Sequence, residues 1–342
     1  MGLRFLSWLR FGKGVKPAPE NHKPQKRGHH IVTLSRHTRL DSLPKGVPRF
    51  GKRPTWIHLN PENDLELLDL LNRYFIHPLT VEDIFNPYNR IKREKFPQYI
   101  YLCFRGVQLK ENFIITKDFN FMLTDKTIIT IAESERKTID DLLANESLTR
   151  ELLRKGPEFI LHKILDVETD HTLQIVHDID VQFEQQESKL FNYTSDVNIT
   201  SVFELRSSLA QIKKMILTHK EIFDEMQLHD KKFFSAESEA FFRDIRDHAI
   251  KGIDTIDGIS QAIASAIEAY HTMSTKRTND VMRTLTVMTS IMLPMTLITG
   301  IFGMNFTFIP LLKDELGYLW TLIFMLGLGF VMLIFFRLKK WV

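Results

Sequence analysis

Charge is distributed along the chain so unevenly that it marks out the architecture by itself. No Asp, Glu, Lys or Arg occurs from Thr284 to Leu312, and none from Leu316 to Phe336. Crossing a hydrocarbon core of ~30 Å takes about 20 residues of helix, so both runs are long enough. Spans are therefore expected at about 284–303 and 317–336. Only Lys313, Asp314 and Glu315 interrupt them, and Arg337-Leu338-Lys339-Lys340-Trp341 follows the second. Two spans with a short connection put both flanks on one side. Lys276, Arg277, Arg283 and the basic end make that side the cytoplasm. The two spans differ in kind. The second is almost wholly apolar and suits lipid, whereas the first carries Thr284, Thr286, Thr289, Ser290, Thr296 and Thr299 with Pro294 and Gly300. Hydroxyls on a membrane helix face other helices or water. Helix packing accounts for any one of them; the set reads as the wall of a water-lined pore. Asn279, Met282, Thr286, Thr289, Leu293 and Thr296 recur at spacings of three and four, which places them on one stripe.

Upstream, the pattern changes from strand to helix. Thr55–Leu59 reads as a strand, and a helix is expected from Pro61 through Leu71. His77-Pro78 breaks the chain before a short helix, Leu79–Phe85. Tyr99–Phe104, Asn112–Leu123 and Thr127–Ala132 are β-rich and bounded by turn residues such as Asp125-Lys126. After Lys137 the pattern is helical: one long helix from Gly156-Pro157 to about Tyr193, another from Asn198 to about His229, and a third starting near Ser238 that meets no proline before Pro294. If continuous, the third runs about 90 Å, from the cytoplasm through the membrane. The expected class is α+β. A basic, partly disordered leader (1–53) precedes a cytoplasmic α/β domain (54–150), a helical bundle and stalk (151–283) and a transmembrane domain (284–342).

Composition adds partners and exclusions. The net charge of +3 over 342 residues hides an asymmetry: residues 1–53 carry thirteen Lys/Arg against Glu20 and Asp41, a net +11, which leaves −8 for the remainder. A leader of that charge attracts anionic lipid head groups. Phe5, Leu6, Trp8, Leu9 and Phe11 among Arg4, Arg10 and Lys13 read as a short surface helix, and Lys16–Gly28, with three prolines, as disordered. No apolar core of a signal peptide is present. Cys103 is alone, so no intramolecular disulfide forms. The chain has no Gly-rich phosphate loop, paired-Cys zinc pattern or nucleophile elbow, so it does not read as an enzyme. No aromatic-studded basic sheet or recognition helix accompanies the leader, which argues against nucleic acid. The histidines, His29-His30 and His171/His177 among them, do not match zinc spacing and read as ordinary surface or satisfied core residues.

Gly303-Met304-Asn305, preceded by Pro294–Phe302 and followed by Phe306, resembles the signature of the CorA-type divalent metal transporters. Three residues alone would be a weak signal; between two C-terminal spans and before a basic tail they are a specific one. The resemblance covers the architecture of nearly the whole chain, most tightly from about Thr278 to Phe306. It implies a homopentameric Mg2+ channel of the inner, cytoplasmic membrane, with Co2+ and Ni2+ as further cargo, both termini cytoplasmic, and five first spans lining the pore. The chain departs from many relatives after the signature: Ile309-Pro310-Leu311-Leu312 stands where they carry Met-Pro-Glu-Leu.

The chemistry of Mg2+ fits this reading. It binds oxygen and sheds water reluctantly. A ring of neutral amide and carbonyl oxygens offered to the hydrated ion selects it, where carboxylates would hold a stripped ion too tightly. Gly303, Met304 and Asn305 form the expected selectivity filter, with Asn279 at the cytoplasmic end of the stripe. Met282, Leu285 and Leu293 are the expected hydrophobic gate, and Thr286, Thr289 and Thr296 complete the pore lining. The family also implies regulatory Mg2+ held between neighbouring cytoplasmic domains, here by Glu82, Asp83 and Glu268 with Asp166 and Asp244 as a second group. Transport of Zn2+ by a branch sharing the signature is the alternative, and a membrane-anchored sensor that conducts nothing is the third. The sensor predicts a first span without a polar stripe.

Overall fold

The computed structural model describes residues 29–40, 53–59, 67, 68, 71, 72, 74, 76–86, 89–110, 113–132, 137–192, 199–229, 232–305, 309, 311 and 315–341. The expected surface helix and disordered stretch of the leader, the start of the Pro61 helix, Phe306 and Asp314 lie outside them. The chain divides into two compact units. One takes residues up to Asp180 together with Glu204–Asp257; the other takes Val181–Phe203 with Gly258–Val342.

The first unit is built on a mixed sheet. Its strands are β1 (His29–Thr33), β2 (His37–Leu40), β3 (Thr55–Leu59), β4 (Lys92–Lys95), β5 (Ile100–Lys110), β6 (Phe113–Leu123) and β7 (Thr127–Ala132). They lie in the order β2-β1-β3-β7-β6-β5-β4. Only β3 and β7 pair in parallel, Ile57 opposite Ile129, and every other pairing is antiparallel. Strand β7 is buried at all six residues, as a central strand covered on both faces must be. Alternation divides the sheet's side chains between two cores. On one face Ile57, Leu59, Tyr101, Cys103, Met122, Ile129 and Ile131 join Leu67, Leu71, Tyr74, Ile76 and Val81. Val81 belongs to helix α1 (Pro78–Phe85), which His77 caps: its Nδ1 accepts from the Leu79 amide at 3.2 Å, and Pro78 occupies the first turn, where no amide donor is needed.

The other face carries Trp56, His58, Phe104, Phe119, Phe121 and Ile128, all buried. Helices α2 (Lys137–Ala144), α3 (Glu146–Lys155), α4 (Pro157–Asn192) and α5 (Ile199–His229) follow the sheet. Asn145 caps α3 through its Oδ1, and Gly156 ends it. The contact of sheet and α5 is aromatic: Phe104 stacks on His219 with ring centroids 3.9 Å apart and planes at 15°, and Phe223 lies 6.5 Å from Phe104.

In the second unit α6 (Ala236–Phe302) runs as one 67-residue helix, which it shares with the first unit, and α7 (Gly317–Leu338) follows. Leu190, Val202, Ile259, Ile263 and Ala266 are buried there. Both α6 and α7 contain windows apolar and long enough to cross a membrane, only 6% and 11% of which are buried within the chain. Helix α7 approaches α6 at Gly329 and the preceding loop at Gly317. A Cβ on Gly329 would overlap the methyl of Met295, and one on Gly317 would overlap the Leu311 carbonyl oxygen. At the far end the Arg283 guanidinium lies 5.7 Å from the Trp341 ring, which stacks on Phe336.

His219 gives the first unit a built-in acid sensitivity. It is 4% exposed, and its Nε2 has no hydrogen-bond partner among the described residues. Burial first, and the nearby Arg105 guanidinium second, push its pKa from 6.5 down to about 3. The unfolded chain takes up this proton near 6.5 while the fold refuses it. The stabilisation from the neutral ring is therefore complete above pH 6.5 and lost as pH falls toward 3, by about 1.4 kcal/mol per unit. Comparing urea or thermal midpoints of wild type and His219→Leu should show their difference changing by roughly 2 kcal/mol between pH 7 and 5. A difference that does not move with pH refutes the assignment.

Candidate functional site

The stripe that the spacing places on one side of α6 is exposed throughout. Asn279, Thr286, Thr289 and Thr296 are exposed, as are Met282, Leu285 and Leu293, the last at 69%. Each of the three threonines donates its hydroxyl proton to the carbonyl one turn back: Thr286 to Met282 at 2.8 Å, Thr289 to Leu285 at 2.9 Å and Thr296 to Met292 at 2.9 Å. Thr284 and Thr299 do likewise, to Asp280 and Thr296. A hydroxyl with its only proton committed to its own helix presents lone pairs outward. The stripe is thus a row of acceptors interrupted by apolar rings of Met and Leu. Acceptor oxygens match a hydrated cation, whose waters point their protons away from the metal.

Helix α6 ends where the signature begins. The Gly303 amide donates to Thr299 O at 2.9 Å, the Met304 amide to Ile301 O at 3.2 Å, and Asn305 follows exposed and outside the helix. Gly303 leaves the helix without a positive φ, so its use here is not left-handed backbone; a Cβ on it would press on Thr299 O at 3.2 Å. A cavity of about 540 Å³ lies beside it, lined by Thr299, Phe302, Leu311, Tyr318 and Met325. Met304 is 50% exposed. Of the acidic residues of the loop, Glu315 is described and exposed.

The carboxylates expected to sense metal are placed as follows. Glu82 and Asp83 lie on α1, Glu82 exposed and Asp83 half-buried. Asp83 Oδ2 sits 2.5 Å from Lys92 Nζ, which also donates to Glu94 at 2.9 Å. Desolvation pulls the Lys92 ammonium down, but its hydrogen bonds to Asp83 and Glu94 hold its pKa above the ordinary value. Asp83 is therefore already partnered by a cation of its own chain. Glu268 is exposed on α6 in the second unit, beside Ile267, His271 and Thr272. Asp166, on α4, is 3.0 Å from Lys163 Nζ and meets Asp170 and His248, whose ligand atoms all lie within 4.8 Å of one another. Asp170 Oδ1 is 3.4 Å from His248 Nδ1. Asp244, on α6 one turn before His248, stands outside that group. Asp170 follows Asp166 by one helical turn, so this pair was visible in the sequence; the arrival of His248 from a distant helix was not.

Comparison with known proteins agrees with this layout. The family profile described as CorA-like Mg2+ transporter protein matches residues 51–340. A cobalt/magnesium transport protein CorA of Thermotoga maritima is 25% identical over 297 residues, 86% of this chain and 85% of that protein. A zinc transport protein ZntB of Yersinia enterocolitica is 19% identical over 272 residues, 78% of this chain and 82% of its own. The complete structure of the CorA magnesium transporter from Methanocaldococcus jannaschii superposes with a TM-score of 0.79 at 20% identity. It covers 92% of this chain and 98% of that one, and shows that the fold is shared.

The approach of α7 to α6 is testable in isolation from transport. Gly329→Leu should lower the thermal midpoint of the detergent-solubilised protein, at a cost of about 1–3 kcal/mol for overpacking. Adding Met295→Ala should recover most of the loss, because it removes the atom the new side chain meets. Equal midpoints in all three proteins would show that the helices do not meet at these residues.

Proposed function

This chain belongs to the CorA-like Mg2+ transporter family, and we propose that it assembles as a homopentamer that admits Mg2+, with Co2+ and Ni2+ as further cargo, across the cytoplasmic membrane. The family is one of ion transporters, which fits a chain without an enzyme signature. One observation carries the reading: the acceptor stripe of α6 leads directly to Gly303-Met304-Asn305. Five such helices set around an axis enclose a path of hydroxyl and amide oxygens closed by Met282, Leu285 and Leu293. Narrow apolar rings dewet, and dewetting is a gate. Asn305, contributed by five chains, offers amide oxygens to an ion that keeps its water. The membrane potential drives entry, at about 2.3 kcal/mol per charge per 100 mV. Both termini lie in the cytoplasm by the positive-inside rule.

The zinc transport relative favours a second reading, carriage of Zn2+. Zinc accepts imidazole and thiolate, and the stripe from Asn279 to Asn305 holds neither, which favours Mg2+. The non-conducting sensor predicts a first span without a polar stripe, and α6 has one.

Liposome flux with Mg2+, Co2+ and Zn2+ at matched potential separates these readings. Mg2+ should enter fastest. Asn305→Ala should abolish Mg2+ selectivity with assembly intact. Thr286→Val with Thr289→Val, which keeps shape and removes the acceptors, should slow Mg2+ several-fold. Wild-type Mg2+ flux in both variants would sink the pore assignment; zinc faster than magnesium would install the second reading.

Gating by cytoplasmic Mg2+ belongs to the same proposal. Carboxylates gathered across a subunit boundary repel, and a divalent ion relieves that only in the close-packed, closed arrangement. Such differential affinity is what shifts a two-state equilibrium. In this chain Lys92 already holds Asp83, so the ion competes with an ammonium for it. Millimolar Mg2+ should protect the wild type from limited proteolysis, and Asp83→Ala with Glu268→Ala should lose that protection. A double variant protected as well as the wild type removes these residues from the sensor.

A further inference from the structure

Sheet register brings together histidines that their spacing keeps apart. His30 on β1 lies directly opposite His58 on β3, and His37 on β2 lies opposite Val32, two residues on from His30. All three histidines therefore share one face of three adjacent strands. His30 Nδ1 and His37 Nε2 are 3.1 Å apart, with ring centroids 5.4 Å apart. The other nitrogen of His37, Nδ1, is 3.1 Å from Glu146 Oε1 at the start of α3, 109 positions along the chain.

We infer that His30 and His37 form a binding site for a borderline divalent metal of the Zn2+, Co2+, Ni2+ type, with Glu146 as the carboxylate that orients His37. Two imidazole nitrogens bound to one such ion at about 2.0–2.1 Å stand roughly 2.8–3.4 Å apart, the spread between right-angle and tetrahedral geometry. The observed separation falls in that range, so the ion replaces the proton shared between the rings after a small rotation of each. A carboxylate on Nδ1 keeps the His37 proton there and leaves the Nε2 lone pair facing His30. This is the arrangement in which ligating histidines are usually held.

His58 serves as a wall. Thr130 Oγ1 accepts from Trp56 Nε1 at 3.1 Å and is hydrogen-bonded to His58 Nδ1 at 2.9 Å, which fixes the His58 ring in place. Water fills the remaining coordination positions, since the His37 side chain is 16% exposed and that of Glu146 47%. Imidazole selects against Mg2+, which takes oxygen. The site therefore answers to transition metals in the presence of Mg2+, and it ties the β1–β2 hairpin to α3. It does not depend on what the pore conducts.

The test is titration of metal-free, full-length protein with Co2+ in excess Mg2+, read by visible absorption. Excess Mg2+ fills the oxygen sites and leaves the nitrogen ligands. Asp170→Asn with His248→Asn serves as background, because it removes the imidazole that stands with Asp166 and Asp170. In that background one nitrogen-ligated Co2+ per chain should remain. It should disappear in His30→Asn and in His37→Asn, and Glu146→Gln should bind at least tenfold more weakly. His37→Cys should retain the ion and add a thiolate charge-transfer band, an outcome that a misfolded hairpin does not give. Absence of nitrogen-ligated Co2+ from the background protein, or an unchanged spectrum in His30→Asn or His37→Asn, overturns the site.

Discussion

Helix α6 carries a surface that its own chain does not cover, and the arrangement of the protein follows from that. Val281, Met282, Leu285, Met288, Met292, Leu293, Leu297 and Ile301 are all exposed, most of them near 60%, and from Val281 to Phe302 only Val287 is buried. Shielding one such side chain from water is worth roughly 1.5–3 kcal/mol. Eight of them together exceed about 10 kcal/mol, as much as the whole net stability of an ordinary domain. A helix of this composition does not stand bare in water. Lipid and neighbouring helices must cover it. Lipid accepts the Met and Leu positions readily but not the threonines, so the hydroxyl stripe belongs where helices face one another or water. The same constraint fits α7, which is apolar almost without interruption and only 11% buried within the chain over its apolar window.

The first unit solves a different problem. Its sheet is covered on both faces, and several charged groups on its strands and on the helices that follow are already balanced within the chain. Lys92 answers Asp83 and Glu94, Lys163 answers Asp166, and Arg105 holds Asp118 through two nitrogens at 2.5 and 2.8 Å. The lysine pairs, partly open to solvent, contribute modestly to stability, on the order of 0–1 kcal/mol, whereas the two-point Arg105–Asp118 pair is held more firmly. For the proposed metal sensing the weakness of the lysine pairs is useful, because a divalent ion displaces an ammonium from a carboxylate at small cost. A sensor made of lightly held carboxylates can answer to millimolar metal, whereas a deeply buried ion pair cannot.

How much of this was legible in the sequence depends on which force set each element. Strands β3 and β7 appear where the apolar, β-branched runs put them, Thr55–Leu59 and Thr127–Ala132, because burial on both faces leaves a continuous signal. The long helices start and stop within about two residues of their punctuation, Gly156-Pro157 and Asn198 among it. The hairpin His29–Leu40 was read as part of a basic leader, since its charge masked a short edge pairing. Strand β4, Lys-Arg-Glu-Lys, shows no apolar alternation at all; it exists because β5 offers an open edge. Residues that meet through register or through distant helices, His30 with His37 and Asp166 with His248, carry no spacing that announces them. Tertiary structure alone sets those distances.

Pro294 shows where local and global demands collide. Proline has no amide proton, so within α6 the carbonyl of Ser290 loses the donor it would otherwise have, and such a proline ordinarily kinks or ends a helix. Here the helix continues for two more turns to Phe302. In hydrocarbon an orphan carbonyl costs several kcal/mol, and it is tolerated only beside water or a donor from another helix. The position is one residue beyond Leu293 on a helix whose hydroxyls have already committed their protons to other carbonyls, Thr296 to Met292 among them. No neighbouring threonine of that stripe has a proton left for Ser290. On the proposed pore reading, water in the ion path is the donor left to that carbonyl, which lipid cannot supply. The proline that looks like a defect in a membrane helix is thus consistent with the stripe of acceptors around it, and both suit the proposed water-lined path.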